Sequence, residues 1–222
     1  MKHVAKGSPP ATFTAWLART ANDDGRAWNH LQNPEKDALF HALLAEQGWI
    51  CCYCGRPVAR GDSHIEHFRP RRDYPDRIFD YGNLHASCQR EGHSREPRVC
   101  GHAKGKWFDD VRHVDPQDPA CERRFRFLWD GTIEPADDGD TAAKTMIAVL
   151  NLNAPFLVKN RQAAMDGVLR EDPADPYSPI LPTSSLLREA AANARPDAEG
   201  RLPGFAHAVA RRAEDETGRP LR

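Results

Sequence analysis

Apolar residues recur at helical spacing in several stretches of the chain. Leu39, Phe40, Leu43 and Leu44 fall at i, i+4 positions and predict an amphipathic helix. Asn33 before Pro34 predicts its start, a capping side chain with proline at the first helical position, and Gly48 predicts its end. Residues 1–33 read as an irregular arm with one short helix near Phe13–Thr20. Gly61-Asp62 predicts a turn into a short strand, Ser63 to Phe68. After Pro119 come a short β pair (Arg124–Trp129, turning at Asp130-Gly131), a helix from Thr141 to Leu150, and another from Pro155 to Leu169. Pro173, Pro176, Pro179 and Pro182 fall at every third position. They predict a stiff polyproline II spacer, with a proline-motif ligand as the alternative. The Ala/Arg/Glu-rich tail has two short helical patterns, Ser185–Arg195 and Phe205–Glu216, expected to be loose or to dock on a partner. There is no internal repeat.

A length of 222 residues suggests one domain or one and a half, at roughly 150 residues per domain. With 40% hydrophobic and 28% charged residues and a mean hydropathy of −0.70, this is a polar chain that can still bury a core. Its best apolar run, Met146–Leu150, is far short of the ~18–20 residues of a membrane span. The first ten residues hold no apolar stretch that could serve as a secretory signal. The expectation is a cytoplasmic protein, neither membrane-spanning nor secreted. The net charge of −1 says nothing about partners. Between Arg56 and Lys106, however, eleven Lys/Arg stand against seven Asp/Glu, with five His besides, so that stretch is locally basic.

That stretch also carries the chemistry. Of six cysteines, Cys51, Cys52, Cys54, Cys88 and Cys100 lie close together and Cys121 sits apart. An even count invites disulfides, but that framework belongs to short secreted chains, so metal is favoured, with plain buried thiols as the third option. Cys51 and Cys54 form a Cys-x2-Cys pair that can grip one face of a tetrahedral Zn²⁺, with Cys88 and Cys100 completing the set. Cys52 and Cys121 are expected to be buried thiols. His64 and His67, in His64-Ile65-Glu66-His67-Phe68-Arg69-Pro70, are alternative ligands beside Cys51 and Cys54, though the spacing is short for a DNA-reading finger. The order is also wrong for a zinc-protease helix. What remains is a carboxylate that can hold a hard cation, an imidazole that can take a proton near neutral pH, and arginines suited to phosphate. Gly101-His102-Ala103-Lys104-Gly105-Lys106-Trp107 imitates a phosphate loop, but the glycine spacing is short and Trp107 stands where a Ser or Thr is needed.

These motifs resemble the HNH endonucleases of the zinc-containing ββα-metal type: Cys-x2-Cys, Glu66-His67, Tyr81-Gly82-Asn83-Leu84 leading to Cys88, and Cys100-Gly101-His102-Ala103-Lys104. The match widens through His3-Val4-Ala5-Lys6-Gly7, Glu46-Gln47-Gly48-Trp49-Ile50-Cys51-Cys52-Tyr53-Cys54 and Leu150-Asn151-Leu152-Asn153, which are similar to the PtuB type found in Septu and some retron anti-phage systems beside a PtuA-like ATPase. It covers roughly residues 1–170. The resemblance implies an α+β, mainly helical fold whose zinc-bound nuclease core, residues 51–110, follows a helical arm, 1–50. A helical extension, 111–170, precedes the Pro-rich linker and helical tail, 171–222. It implies His67 as general base, Glu66 as ligand of a catalytic Mg²⁺ or Mn²⁺, and Asn83 as the residue orienting the loop. The third HNH position, interrupted here by Gln89–Val99, falls on His102, with His93 as its competitor. His85 is expected to pack against the Asn83 turn. The zinc, on four Cys, would be structural.

The function so implied is DNA phosphodiester hydrolysis, leaving 5′-phosphate and 3′-hydroxyl ends, by the effector of a defence pair. Arg69, Arg71, Arg72, Lys104 and Lys106 are the candidate DNA contacts. A homo- or hetero-oligomer is compatible with the sequence. In a regular strand, neighbours such as Glu66 and His67 point to opposite faces, so a bend or a strand end between them is expected if both serve one site. A non-catalytic zinc module binding nucleic acid or protein, and a purely structural ATPase adaptor, are the competing classes.

Overall fold

The computed structural model describes residues 1–23, 25–90 and 96–221, and among them are seven α-helices, four short strands and four short 3-10 helices. The first helices follow the apolar spacing. Helix α1 (Ala11–Arg19) buries Phe13 and Trp16, and α2 (Glu35–Glu46) buries Leu39, Phe40, Leu43 and Leu44. The start of α2 differs from expectation: Pro34 itself occupies the capping position and no side chain caps the helix, so Asn33 lies one residue outside it. Its end is the expected one. Gly48 has φ +65°, its N–H donates to Ala45 O and the N–H of Trp49 donates to Leu44 O at 2.8 Å. These two bonds satisfy the last carbonyls of the helix in a Schellman arrangement.

The chain then makes a knuckle, Cys51–Gly55, closed by Gly55 N–H donating to Cys51 O at 2.9 Å and by the bridge between Ile50 and Pro57. Strand β1 (Ser63–His67) pairs antiparallel with β2 (Leu84–Cys88), His67 opposite Leu84 and Ser63 opposite Cys88. A five-residue helix α3 (Cys100–Lys104) follows and packs on β2. Strands β3 (Phe125–Phe127) and β4 (Ile133–Pro135) form the second hairpin. Helix α4 (Thr141–Val149) starts where Asp140 accepts from the Ala143 N–H, and α5 (Pro155–Leu169) starts with proline at its first position.

The link Leu150–Asn153 between α4 and α5 holds the pieces together. Leu150 O accepts from the Cys100 N–H at 2.8 Å, Asn151 Nδ2 donates to Arg98 O, and Asn153 pairs both ways with Ile133. The first residues do the same from the other side. Lys6 Nζ donates to Leu84 O at 2.9 Å, ion-pairs with Glu46, and lies 3.9 Å from the centre of the Tyr81 ring.

The C-terminal quarter departs from expectation. Residues 171–182 do not run as an extended spacer. Arg170 and Ile180 form an antiparallel bridge, Glu171 N–H donates to Pro179 O, and Ser178 Oγ bonds back to Asp172 O. Helix α6 (Thr183–Asn193) buries Leu186 and Ala190, and α7 (Ala206–Thr217) buries five residues against α5, α6 and β3. The tail is therefore part of the core. Its helices look weak in sequence because their buried positions are mostly Ala, which adds little apolar signal to a window.

Candidate metal centre and active-site cleft

The β1–β2 hairpin, with α3 behind it, carries two chemical sites. At one end, Cys51, Cys54, Cys88 and Cys100 bring their sulfurs within 4.8 Å of one another, and all four residues are buried. The knuckle supplies two, the end of β2 one, and the first residue of α3 the fourth. Burial pushes the Cys100 thiol well up. Cys51, equally buried, is nevertheless held well below an ordinary thiol by Cys100, Cys52, Cys54 and Cys88 around it. Four thiolates cannot share so small a buried volume without a cation, and four soft donors in this grouping fit a closed zinc site. Cys52 and Cys121 are buried outside the group, as expected, and His64 and His67 are no part of it.

The second site is a cleft of about 1050 Å³ along the open edge of β1, which among the described residues pairs with β2 alone. Ser63, His64, Ile65, Glu66 and His67 all line it. The expected bend is not needed: the ladder stays regular to His67, where the strand ends, and both faces of its edge open on one cleft.

Glu66 is fixed at both oxygens. Lys104 Nζ lies 2.9 Å from Oε1 and the Tyr53 hydroxyl donates to the same oxygen at 3.2 Å, while Oε2 faces His64 Nε2 at 3.4 Å. Burial alone would raise its carboxyl. The Lys104 ammonium and His64 outweigh that and bring it down to about 2, so the carboxylate is ionised.

His67 Nε2 lies 3.0 Å from Ile78 O. A carbonyl only accepts, so Nε2 carries the proton and Nδ1 keeps the lone pair. Burial pushes the imidazole down to about 4, helped by the charges of Arg71 and Lys104. The edge of the Trp28 ring packs on it, centroids 4.4 Å apart. The ring is thus neutral and oriented. Asn83 shapes the loop that carries Ile78. Its Oδ1 accepts from the Arg69 N–H at 2.7 Å, and its Nδ2 donates to Arg69 O and Arg77 O.

His102, on α3, also lines the cleft. Its ring centre is 4.3 Å from that of His64, and Nε2 of His102 and Nδ1 of His64 both reach Gln89 O, at 3.2 and 2.8 Å. His93 lies outside the described residues. His85 is fully buried, 6.3 Å from the Phe68 ring between centroids, and its imidazole is pushed down to about 3 by burial.

Two of the five expected DNA contacts turn away. Lys104 is 4% exposed and spent on Glu66 and on His67 O. Arg69 pairs with Asp110 at 2.9 Å and stacks over Phe108. The last residue of α3 and an arginine stacked over Tyr74 and Phe108 both find partners inside the chain. Arg71, Arg72 and Lys106 do line the cleft, joined by Arg26, Lys36, Arg60 and Arg90, which the sequence did not single out. Of these, Arg60 is ion-paired with Asp37 and Arg26 donates to Leu17 O, and Glu66 is the one carboxylate among the described lining residues. The alternation of β1 could have paired His64 with Glu66 on one face, but the contributions of Arg26, Trp28 and Lys36 carry no local signal. No described helix is long and apolar enough to cross a membrane.

No protein-family model matches the chain. In sequence it is similar to the "Retron Vc95 putative HNH endonuclease" of Vibrio cholerae serotype O1 biovar El Tor, 29% identical over 141 residues that cover 60% of this chain and 66% of that protein. The chain thus spans just under two thirds of that relative's length. The likeness is thus to a putative HNH endonuclease of a retron, in a chain that has a four-Cys group and a mixed α/β architecture.

Proposed function

We propose that the chain is a metal-dependent HNH endonuclease that hydrolyses DNA phosphodiester bonds, with β1, β2 and α3 as a ββα-metal core. The observation carrying this reading is the cleft itself: a neutral, oriented imidazole and an ionised carboxylate at the edge of one strand, in a cleft whose lining is rich in Arg and Lys. His67 takes the proton of the attacking water at Nδ1, while its Nε2–H stays on Ile78 O. A phosphate anion brought into the cleft favours the imidazolium and so raises the basicity that burial suppresses. Asn83 keeps the 68–83 loop, and with it that carbonyl, in place. Arg71, Arg72 and Lys106 hold the backbone phosphates, which gives affinity with little sequence preference.

Glu66 and His102 would hold the catalytic divalent ion, and a mixed carboxylate and imidazole set suits Mn²⁺ or Mg²⁺. Such an ion supplies charge stabilisation to the pentacoordinate phosphorane and the leaving 3′-oxygen. Zn²⁺ on Cys51, Cys54, Cys88 and Cys100 would be structural. By analogy with the retron relative and the PtuB resemblance, the chain acts in the cytoplasm as the effector of an anti-phage system beside a PtuA-like ATPase. The test is plasmid cleavage by zinc-loaded protein with Mg²⁺ or Mn²⁺, alone and with the ATPase, beside His67→Ala and an EDTA control. Nicking that vanishes in both controls supports the nuclease. Cleavage that persists in His67→Ala removes His67 as base, and none under any condition leaves a binding module.

A further inference from the structure

We propose that His64 is a ligand of the divalent ion at Glu66, its Nε2 and Glu66 Oε2 acting as the two fixed donors of that site. The inference rests on the metal-dependent reading of the cleft and adds a residue to it.

The argument starts from the far side of the ring. His64 Nδ1 lies 2.8 Å from Gln89 O, and because a carbonyl only accepts, Nδ1 bears the hydrogen. Nε2 therefore points at Glu66 Oε2, 3.4 Å away. A neutral ring there would set a lone pair against a carboxylate, so a cation belongs between them. A proton is one choice, but charge-assisted N–H···O bonds close to about 2.7–2.9 Å, and this pair has not closed to that range. Neighbouring donors about 2.1 Å from one octahedral ion are about 3 Å apart, so the same pair can seat an ion with a small movement.

Three features keep this pair in place and open. Glu66 cannot swing, because Lys104 and Tyr53 hold its other oxygen. His64 and Glu66 share a face of β1 by alternation and line the cleft, so an ion can enter. Gly101 closes over both. A Cβ at that position would stand 2.5 Å from Glu66 Oε2 and 2.6 Å from His64 Nε2, so only glycine leaves the two donor atoms unobstructed. His102, one residue further along α3, stands with its ring beside that of His64. Imidazole donors favour Mn²⁺ and later transition ions over Mg²⁺. The bland alternative, an ion pair that merely braces the strand, predicts no effect on metal binding.

The test is Mn²⁺ binding to zinc-loaded full-length chain, read from the free-ion EPR signal, with zinc content and thermal melting as folding controls. The wild type should bind one Mn²⁺, and His64→Gln should bind it about tenfold or more weakly. His64→Asp should regain affinity and shift competition towards Mg²⁺, which no bracing role predicts. In His102→Ala, spin-echo modulation from a ring nitrogen on Mn²⁺ should remain and should vanish on adding His64→Gln. Unchanged Mn²⁺ affinity in His64→Gln, with loss in Glu66→Gln, overturns this inference and leaves the metal site standing. No Mn²⁺ binding by the wild type, or none lost in Glu66→Gln, overturns the site and the inference together. If His64→Gln fails the folding controls, the nitrogen signal in His102→Ala decides, and its absence counts against His64.

Discussion

Replacing Gly55 by alanine tests whether the tail helix α7 buttresses the cysteine knuckle. Gly55 has φ +77°, and a Cβ there would stand 2.2 Å from His207 Cε1 and 2.6 Å from its Nδ1. The His207 ring cannot retreat easily: it is buried, edge-on to Phe127, with both nitrogens unpartnered. A left-handed backbone costs a non-glycine residue about 1–2 kcal/mol, and overpacking a buried contact adds about 1–3 kcal/mol. Gly55→Ala should therefore destabilise by about 2–5 kcal/mol. In a His207→Ala background the overlap disappears and only the backbone part, about 1–2 kcal/mol, should remain. The difference, a coupling of about 1–3 kcal/mol, is what a double-mutant cycle reads from urea unfolding of the zinc-loaded proteins. Zinc release to a chelator should follow the same order, because Gly55 adjoins Cys54 and its carbonyl accepts from Phe205 N–H at 2.7 Å. An equal cost of Gly55→Ala in both backgrounds would refute the contact and return the tail to a loosely attached segment.

Three further outcomes follow from the cleft. Lys104→Met leaves the Glu66 carboxylate buried without its ammonium, which should cost about 3–5 kcal/mol near neutral pH. With the ammonium gone, burial raises that carboxyl; the gap to wild type in urea, with no added Mg²⁺ or Mn²⁺, should hold above its new pKa. Below that point the gap should narrow by about 1.4 kcal/mol per pH unit towards about 2, where the wild-type group titrates. A pH-independent gap would mean that Lys104 acts by packing alone. Because burial holds His67 near 4 in the free protein, kcat/KM for base-dependent cleavage should rise through that pH and stay flat from about 5.5 to 7.5, and His67→Ala should lose about 10²–10⁴-fold. A step near the ordinary imidazole value of about 6.5 would contradict its burial. Arg71→Ala should weaken DNA binding and lower the salt slope by about 0.9, whereas Arg69→Ala, paired with Asp110, should leave the slope unchanged.

Signals were legible where one element decides the outcome or where the residue type itself announces its partners. Pro155 and Leu169 bound α5 as the sequence suggests, the Asp130-Gly131 turn joins β3 to β4, and the four cysteines meet despite the long gap between Cys88 and Cys100. Signals failed where a partner distant in sequence decides. Lys104 reads as a free cation, because nothing near it announces Glu66. Asn33 reads as a cap, because the side-chain type is right and the offset by one residue is invisible. The Pro-rich stretch reads as a spacer, because proline spacing fixes φ but not the bridge from Arg170 to Ile180. The cationic wall was half legible, since Arg26 and Lys36 reach the cleft only after the arm folds over it.

The two sites are also mechanically joined, and this follows from how short α3 is. Five residues cannot hold a helix in water, where nucleation alone is unfavourable. Helix α3 persists because both ends are tied. Its first residue, Cys100, belongs to the four-sulfur group and donates its N–H to Leu150 O. Its last, Lys104, holds Glu66 and the His67 carbonyl. Between them, the Gly101 N–H donates to Ser87 Oγ on β2, which in turn sits 3.8 Å from Cys51 Sγ. Every cleft group on α3 is thus within four residues of a sulfur ligand. If the cysteines hold zinc, as proposed, its loss should therefore slacken Gly101 against Glu66 and His64 before it unfolds the hairpin, and a metal there would set the geometry of a cleft it does not touch.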